Sequence, residues 1–196
     1  MVLLTSSGIR EGKVFTELSG YIESNMKRAV IITTASVGYK ERDWNIPRHT
    51  EDLQRLGLTV DLLDIEYEEA KLLLSYDVVL INGGNPFYLL YHLRQSRCFE
   101  ILSRLLGLGK IIIGVSAGSI VLGTTVALIH ELDPTQNEEA GLTQFDGLGL
   151  VSLNICPHVS RFAAMRPDFL SRIADFEERS GVRITRVEDG EGIFVF

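Results

Sequence analysis

Gly114-Val115-Ser116-Ala117-Gly118 fits the pattern G-x-S-x-G and lies between two apolar runs, one strand-like and one helix-like. A serine on a sharp strand-to-helix turn has its oxygen lifted clear of the sheet, and side chains at the flanking glycine positions would collide with that turn. The chemistry such a residue could do is nucleophilic attack on a carbonyl carbon. Ala117, opening the helix, would turn its free N–H and the positive end of the helix dipole toward the developing oxyanion. A serine needs a base. Of the four histidines, His158 ends an apolar run, Ile155-Cys156-Pro157-His158, much as Ser116 ends its own. Open α/β sheets gather their sites at the carboxyl ends of strands, so these two side chains could share one edge. His92 reads as a structural helix residue, His49 as an exposed one, and His130 as a weaker competitor near an acidic loop.

A carboxylate should orient the imidazole. Glu131, Asp133, Glu138 and Glu139 are available in one segment, and Glu188, Asp189 and Glu191 near the C-terminus. Spacing alone does not choose among them. Asn82-Gly83-Gly84-Asn85 follows another apolar run, and paired glycines there would let backbone approach a ligand closely, giving a second oxyanion donor. Lys40, Arg42, Arg161 and Arg166 are cations placed after predicted strands or after His158, where Arg161 and Arg166 could meet a substrate carboxylate. There is no H-E-x-x-H, no C-x-x-C and no phosphate loop, so no metal and no cofactor is expected.

The elements that must position these residues alternate along the chain. Strands are predicted at Val2–Thr5, Ala29–Ile32, Thr59–Leu63, Asp77–Ile81, Lys110–Val115, Leu148–Ile155, Val182–Val187 and Ile193–Phe196. Helical spacing or caps predict helices over about 13–26, after Pro47, over Glu68–Leu74, after Pro86, from Ala117, and over about 162–178. Residues 131–147 read as a long polar loop. Strand-helix alternation predicts an α/β fold of three layers, a mostly parallel central sheet with helices on both faces. No repeat or linker interrupts it, so residues 1–196 read as one domain.

Together these residues resemble the peptidase E (aspartyl dipeptidase) family of serine peptidases. The likeness lies in Ile81–Pro86 (INGGNP), Ile113–Ser119 (IGVSAGS) and Ile155–His158 (ICPH), and in their order and spacing. It implies a fold like that of class I glutamine amidotransferases, with serine in place of their cysteine. It implies Ser116 as nucleophile, His158 as base, and the Gly84-Asn85 turn and Ala117 around the oxyanion. For the third acid it points to Glu131 first and Asp189 second. Where aspartyl dipeptidases carry an asparagine-containing segment after the serine, Ser119-Ile120-Val121 stands here, which leaves the side-chain preference open. Cyanophycinase-like hydrolases share the Ser-Ala-Gly motif. An α/β-hydrolase esterase or a catalytically silent binding protein would use the same pattern differently.

Composition agrees with a folded enzyme. The chain has 196 residues, 45% hydrophobic and 23% charged, enough to bury a full core. A net charge of −7 disfavours nucleic-acid partners. Two unspaced cysteines argue against a disulfide scaffold and fit a reducing compartment, so a cytoplasmic location is expected. Residues 111–129 carry no charge and approach the length of a membrane span, but three glycines and the serine turn interrupt them. A buried strand and helix explain them better, and no membrane association is expected. The expected partner is a short peptide substrate. Monomer and homodimer are equally compatible with the sequence.

Overall fold

The structure, a computed structural model, describes residues 1–10 and 12–196. Its strands are β1 (Val2–Thr5), β2 (Arg28–Ile32), β3 (Thr59–Leu63), β4 (Val78–Ile81), β5 (Ile111–Val115), β6 (Asn154–Pro157), β7 (Ile184–Val187) and β8 (Gly192–Val195). Its helices are α1 (Gly12–Tyr21), α2 (Ile46–Arg55), α3 (Pro86–Gln95), α4 (Cys98–Gly107), α5 (Ala117–Leu122), α6 (Ala127–Leu132), α7 (Val159–Met165) and α8 (Phe169–Ser180). Six strands form the central sheet in the order β3-β2-β4-β5-β1-β8, all parallel except β8, which runs antiparallel to β1.

The central strands are apolar throughout because both faces are covered. Successive side chains leave a strand on opposite faces. Leu4, Val30, Val79, Ile81 and Ile112 therefore pack on one side with residues of α3, α4 and α5. Leu3, Ile31, Leu80 and Ile113 pack on the other with residues of α1 and α2. This is the three-layer α/β arrangement that the alternation predicts.

Three expectations change in detail. The strand expected at Leu148–Ile155 is shorter and later, and β6 pairs only with β7, in a separate two-stranded parallel sheet. Its packing partners are α6, α7 and α8, through Leu132, Cys156, Phe169 and Ile173. The helix expected over 162–178 is two helices, α7 and α8, divided around Pro167, whose missing N–H and ring cannot continue a helix. The uncharged stretch 111–129 divides into β5, α5 and the start of α6. Helix α5 stops where Gly123 presses on neighbouring backbone; a Cβ there would sit 2.6 Å from the Leu153 carbonyl oxygen. The side-chain oxygen of Asn154 accepts from the Thr124 and Thr125 N–H groups beyond it. Among the described residues no helix is long and apolar enough to cross a membrane.

Register fixes what meets at the carboxyl edge. Thr5 pairs with Val115, and Ile81 with Gly114, so Ser6, Asn82 and Ser116 leave the central sheet side by side. Pro157 pairs with Val187, so His158 and the Glu188–Glu191 turn leave the small sheet together. That turn then enters β8 at Gly192, which pairs with Thr5. The two sheets are thus tied at the point where Ser116 and His158 converge.

Candidate active site

Ser116 has φ +50° and ψ −111°, a backbone conformation that a side chain-bearing residue adopts only under constraint. The constraint is local packing. Ser116 N–H donates to the Thr5 carbonyl at 2.9 Å. The Ser119 hydroxyl donates to the same carbonyl and accepts from Thr5 N–H, each at 2.9 Å. The turn is drawn so tightly onto the sheet that a Cβ at Gly114 would lie 2.6 Å from Ser119 Cα, and one at Gly118 would lie 2.1 Å from the Ile81 carbonyl oxygen. The two glycines of the pattern are required sterically.

The Ser116 hydroxyl lies 3.0 Å from His158 Nε2. His158 Nδ1 lies 2.5 Å from Asp189 Oδ1. With the carboxylate accepting from Nδ1–H, Nε2 is left to accept the serine proton. His158 also holds a left-handed backbone conformation, φ +57°, which starts α7 with the ring turned back toward the sheet edge. Ser6, wholly buried, braces both groups: its hydroxyl donates to Asp189 Oδ1 at 2.7 Å and accepts from His158 N–H at 2.9 Å. Next to it, Glu188 takes the Ser160 N–H and hydroxyl at 3.0 and 2.8 Å, fixing the start of α7 to the end of β7. Burial tends to raise the Asp189 carboxyl, but the Ser6 hydroxyl, the His158 ring and the Arg161 charge outweigh it and hold it below the ordinary carboxylate range.

Ser116 stands between two cavities. One, of about 210 Å³, is walled by Ile120, Ile129, Leu132, Cys156, Phe162 and Phe169. The other, of about 340 Å³, is the more polar of the two, with Ser6, Asp43, Arg48, His158, Arg161 and Asp189 beside Trp44 and Val115. Gly84 borders both. Its φ is +140°, and a Cβ there would fall 2.2 Å from the Ala35 carbonyl oxygen, so only glycine fits. Ala117, the first residue of α5, borders the apolar cavity with an N–H that has no carbonyl one turn earlier in the helix to meet it. Cys156, which lines the same cavity as Ser116, is kept a neutral thiol: burial pushes its pKa up to about 12. Among the described residues no cluster of His, Cys, Asp and Glu could hold a metal ion.

The profile of Peptidase family S51 matches residues 1–195. The chain belongs to peptidase family S51. An uncharacterized peptidase of Listeria monocytogenes is 31% identical to this S51 chain over 161 residues, 80% of this chain and 77% of its own. A peptidase E of a Nostoc species is 24% identical over 161 residues, covering 81% of this chain and 64% of its own. A crystal structure of a Listeria monocytogenes protein, provisionally described as a peptidase E, superimposes with a TM-score of 0.80 at 26% identity, covering 99% of this chain and 93% of that one. The structure of a peptidase from an acI-B1 actinobacterium shares the fold, with a TM-score of 0.67 at 22% identity over 88% of this chain and 74% of that one.

Within this S51 chain the structure brings together Ser116, His158, Asp189, Gly84 and Ala117. It does not bring Glu131 to them. That residue's carboxylate accepts from Arg179 at 2.6 Å and its carbonyl from Arg172, because α6 packs against α8 and turns Glu131 toward the outer helix. Asn85, expected beside the oxyanion, caps a helix instead: its side-chain oxygen accepts from the Phe87 and Tyr88 N–H groups at 2.9 and 3.1 Å. Its own N–H donates to the Ala35 carbonyl. Arg161 borders the polar cavity and Arg166 the apolar one, where its guanidinium donates to the Leu132 carbonyl at 2.9 Å. Lys40 is engaged by Asp64 and Glu66, and Arg42 by the Gly38 carbonyl. His49, expected exposed, is wholly buried under Gly8. Sequence reasoning passed over Ser6. The available signal was a hydroxyl residue directly after the first predicted strand, the same relation that singles out Ser116.

Proposed function

We propose that this S51 peptidase hydrolyses short peptides through an acyl-enzyme, with Ser116 as nucleophile, His158 as general base and acid, and Asp189 as the orienting carboxylate. The observation that carries the reading is the unbroken chain from Ser116 Oγ through both His158 ring nitrogens to Asp189. In the first step Oγ bonds to the scissile carbonyl carbon while its proton passes to Nε2. The oxyanion is received by the N–H groups of Ala117 and Gly84. Its collapse breaks the C–N bond, and the imidazolium gives its proton to the departing amine. Water, deprotonated by the same imidazole, then releases the acid product and restores Ser116. The ionised Asp189 stabilises the imidazolium in both halves.

Two features favour short substrates. The nucleophile lies between two small cavities, of about 210 and 340 Å³. The polar cavity also carries Arg161, whose guanidinium suits a free terminal carboxylate on the leaving half.

Ser116→Ala tests the reading. Its kcat on dipeptides should fall by at least about 10⁴-fold, with the fold unchanged by circular dichroism. A fluorophosphonate should label the wild-type chain at Ser116 and leave the variant unlabelled. Undiminished turnover in the variant would overturn the proposal.

A further inference from the structure

We infer that the residue supplying the acyl group carries an uncharged apolar side chain, and that this side chain occupies the cavity walled by Ile120, Ile129, Leu132, Cys156, Phe162 and Phe169. The inference rests on the serine-peptidase reading above and adds the substrate class.

Its first step is orientation. The group that protonates the leaving amine must face the leaving half of the substrate. His158 borders the polar cavity and is absent from the walls of the apolar one. The leaving half therefore extends into the polar cavity. Ala117 borders only the apolar cavity, and with Gly84 it brackets the carbonyl of the acyl half. The side chain next to that carbonyl is directed into the apolar space.

The second step is chemistry. Aliphatic and aromatic side chains dominate the wall. Its two charged residues are of opposite sign and lie near each other: Arg166 contributes to holding the Asp133 carboxyl below its ordinary value. Asp133 is held by its neighbours, accepting from the Thr135 hydroxyl and the Gln136 amide, and Arg166 is tied to the backbone through one of its N–H groups, which donates to the Leu132 carbonyl. A substrate carboxylate entering here would be desolvated among apolar groups and would meet a cation whose field Asp133 opposes. An aliphatic or aromatic side chain loses nothing on entry. Each methylene that such a pocket accommodates is worth about 10–200-fold in kcat/KM.

The test is a matched dipeptide series, Leu-Ala, Phe-Ala, Ala-Ala and Asp-Ala, with products separated chromatographically. The wild-type enzyme should favour Leu-Ala or Phe-Ala over both Ala-Ala and Asp-Ala by about tenfold or more in kcat/KM. Asp-Ala turned over fastest, or a flat series, would overturn the assignment and leave the peptidase reading standing. No hydrolysis of any member, with no fluorophosphonate labelling of Ser116, would overturn both. The variant Ile129→Lys, at a half-buried wall position, locates the side chain. It should raise the Asp-Ala to Leu-Ala ratio by about tenfold through an added cation in the cavity. An unchanged ratio in a folded variant would place the side chain elsewhere and overturn the inference.

Discussion

Ser6 and Asp189, at opposite ends of the chain, are joined by a 2.7 Å hydrogen bond from the serine hydroxyl to the carboxylate. The same hydroxyl accepts from the His158 N–H, so one buried atom sets both the acid and the backbone that carries the imidazole. The fold makes this possible because the turn before β8 must pass the end of β1 to pair with it.

Ser6→Ala should lower kcat on a dipeptide by up to about 100-fold with little change in KM, because a misoriented imidazole affects the chemical step. It should also cost about 1–3 kcal/mol of stability through the orphaned His158 N–H, read from urea unfolding. An equal kcat in a stable variant would reduce Ser6 to packing.

Asp189 and Glu131 make opposite predictions. Asp189→Asn should lose roughly 10²–10⁴-fold in kcat, since an amide cannot stabilise the imidazolium. Glu131→Gln should stay close to wild type, because its partner is the exposed Arg179. Steady-state rates of the two variants, measured side by side, decide between the acids; the reverse ranking would reassign the role to Glu131.

Asn85 should report on stability through its cap. Asn85→Ala removes the acceptor for two N–H groups at the start of α3 and should cost about 1 kcal/mol in urea unfolding. Asn85→Ser, which can still cap, should recover part of that. If serine fares no better than alanine, the cap is not what Asn85 contributes.

His49 gives the protein an acid-labile element. Burial lowers its pKa from 6.5 to about 4, with Arg48 adding to the effect and Asp43 opposing it. Between those values the unfolded chain binds a proton that the folded chain excludes. Stability from this residue is therefore complete above about pH 6.5 and falls as pH drops toward 4, by on the order of 3 kcal/mol. Urea midpoints across that range should decline less steeply in His49→Asn. Parallel declines in both proteins would assign the acid sensitivity to other groups.

Ser116, His158 and the glycines around them were legible in sequence because their requirements are local. A strained elbow needs small residues at Gly114 and Gly118, and a fully covered parallel strand needs an unbroken apolar run such as Ile111–Val115. Periodicity likewise specified the α/β layers. It could not separate α7 from α8 beyond the hint of Pro167, nor show that β6 leaves the main sheet, since strand-forming residues do not encode their partner.

Which carboxylate meets His158 was decided by tertiary structure alone. Glu131 and Asp189 are equivalent as isolated acids, and counting from Ser116 favoured Glu131, whose carboxylate lies on Arg179 and not on His158. What separates them is that α6 lies against α8, where Arg179 takes Glu131, while β7 pairs with β6 and β8 with β1, which carries Asp189 to His158 and Ser6. The same holds for the two cavities, whose walls come from residues scattered between positions 6 and 189. A sequence records the groups that can do chemistry and the strain that holds one of them. The distances between groups far apart in the chain come from strand pairing and helix packing, and these are satisfied only when the whole chain is folded.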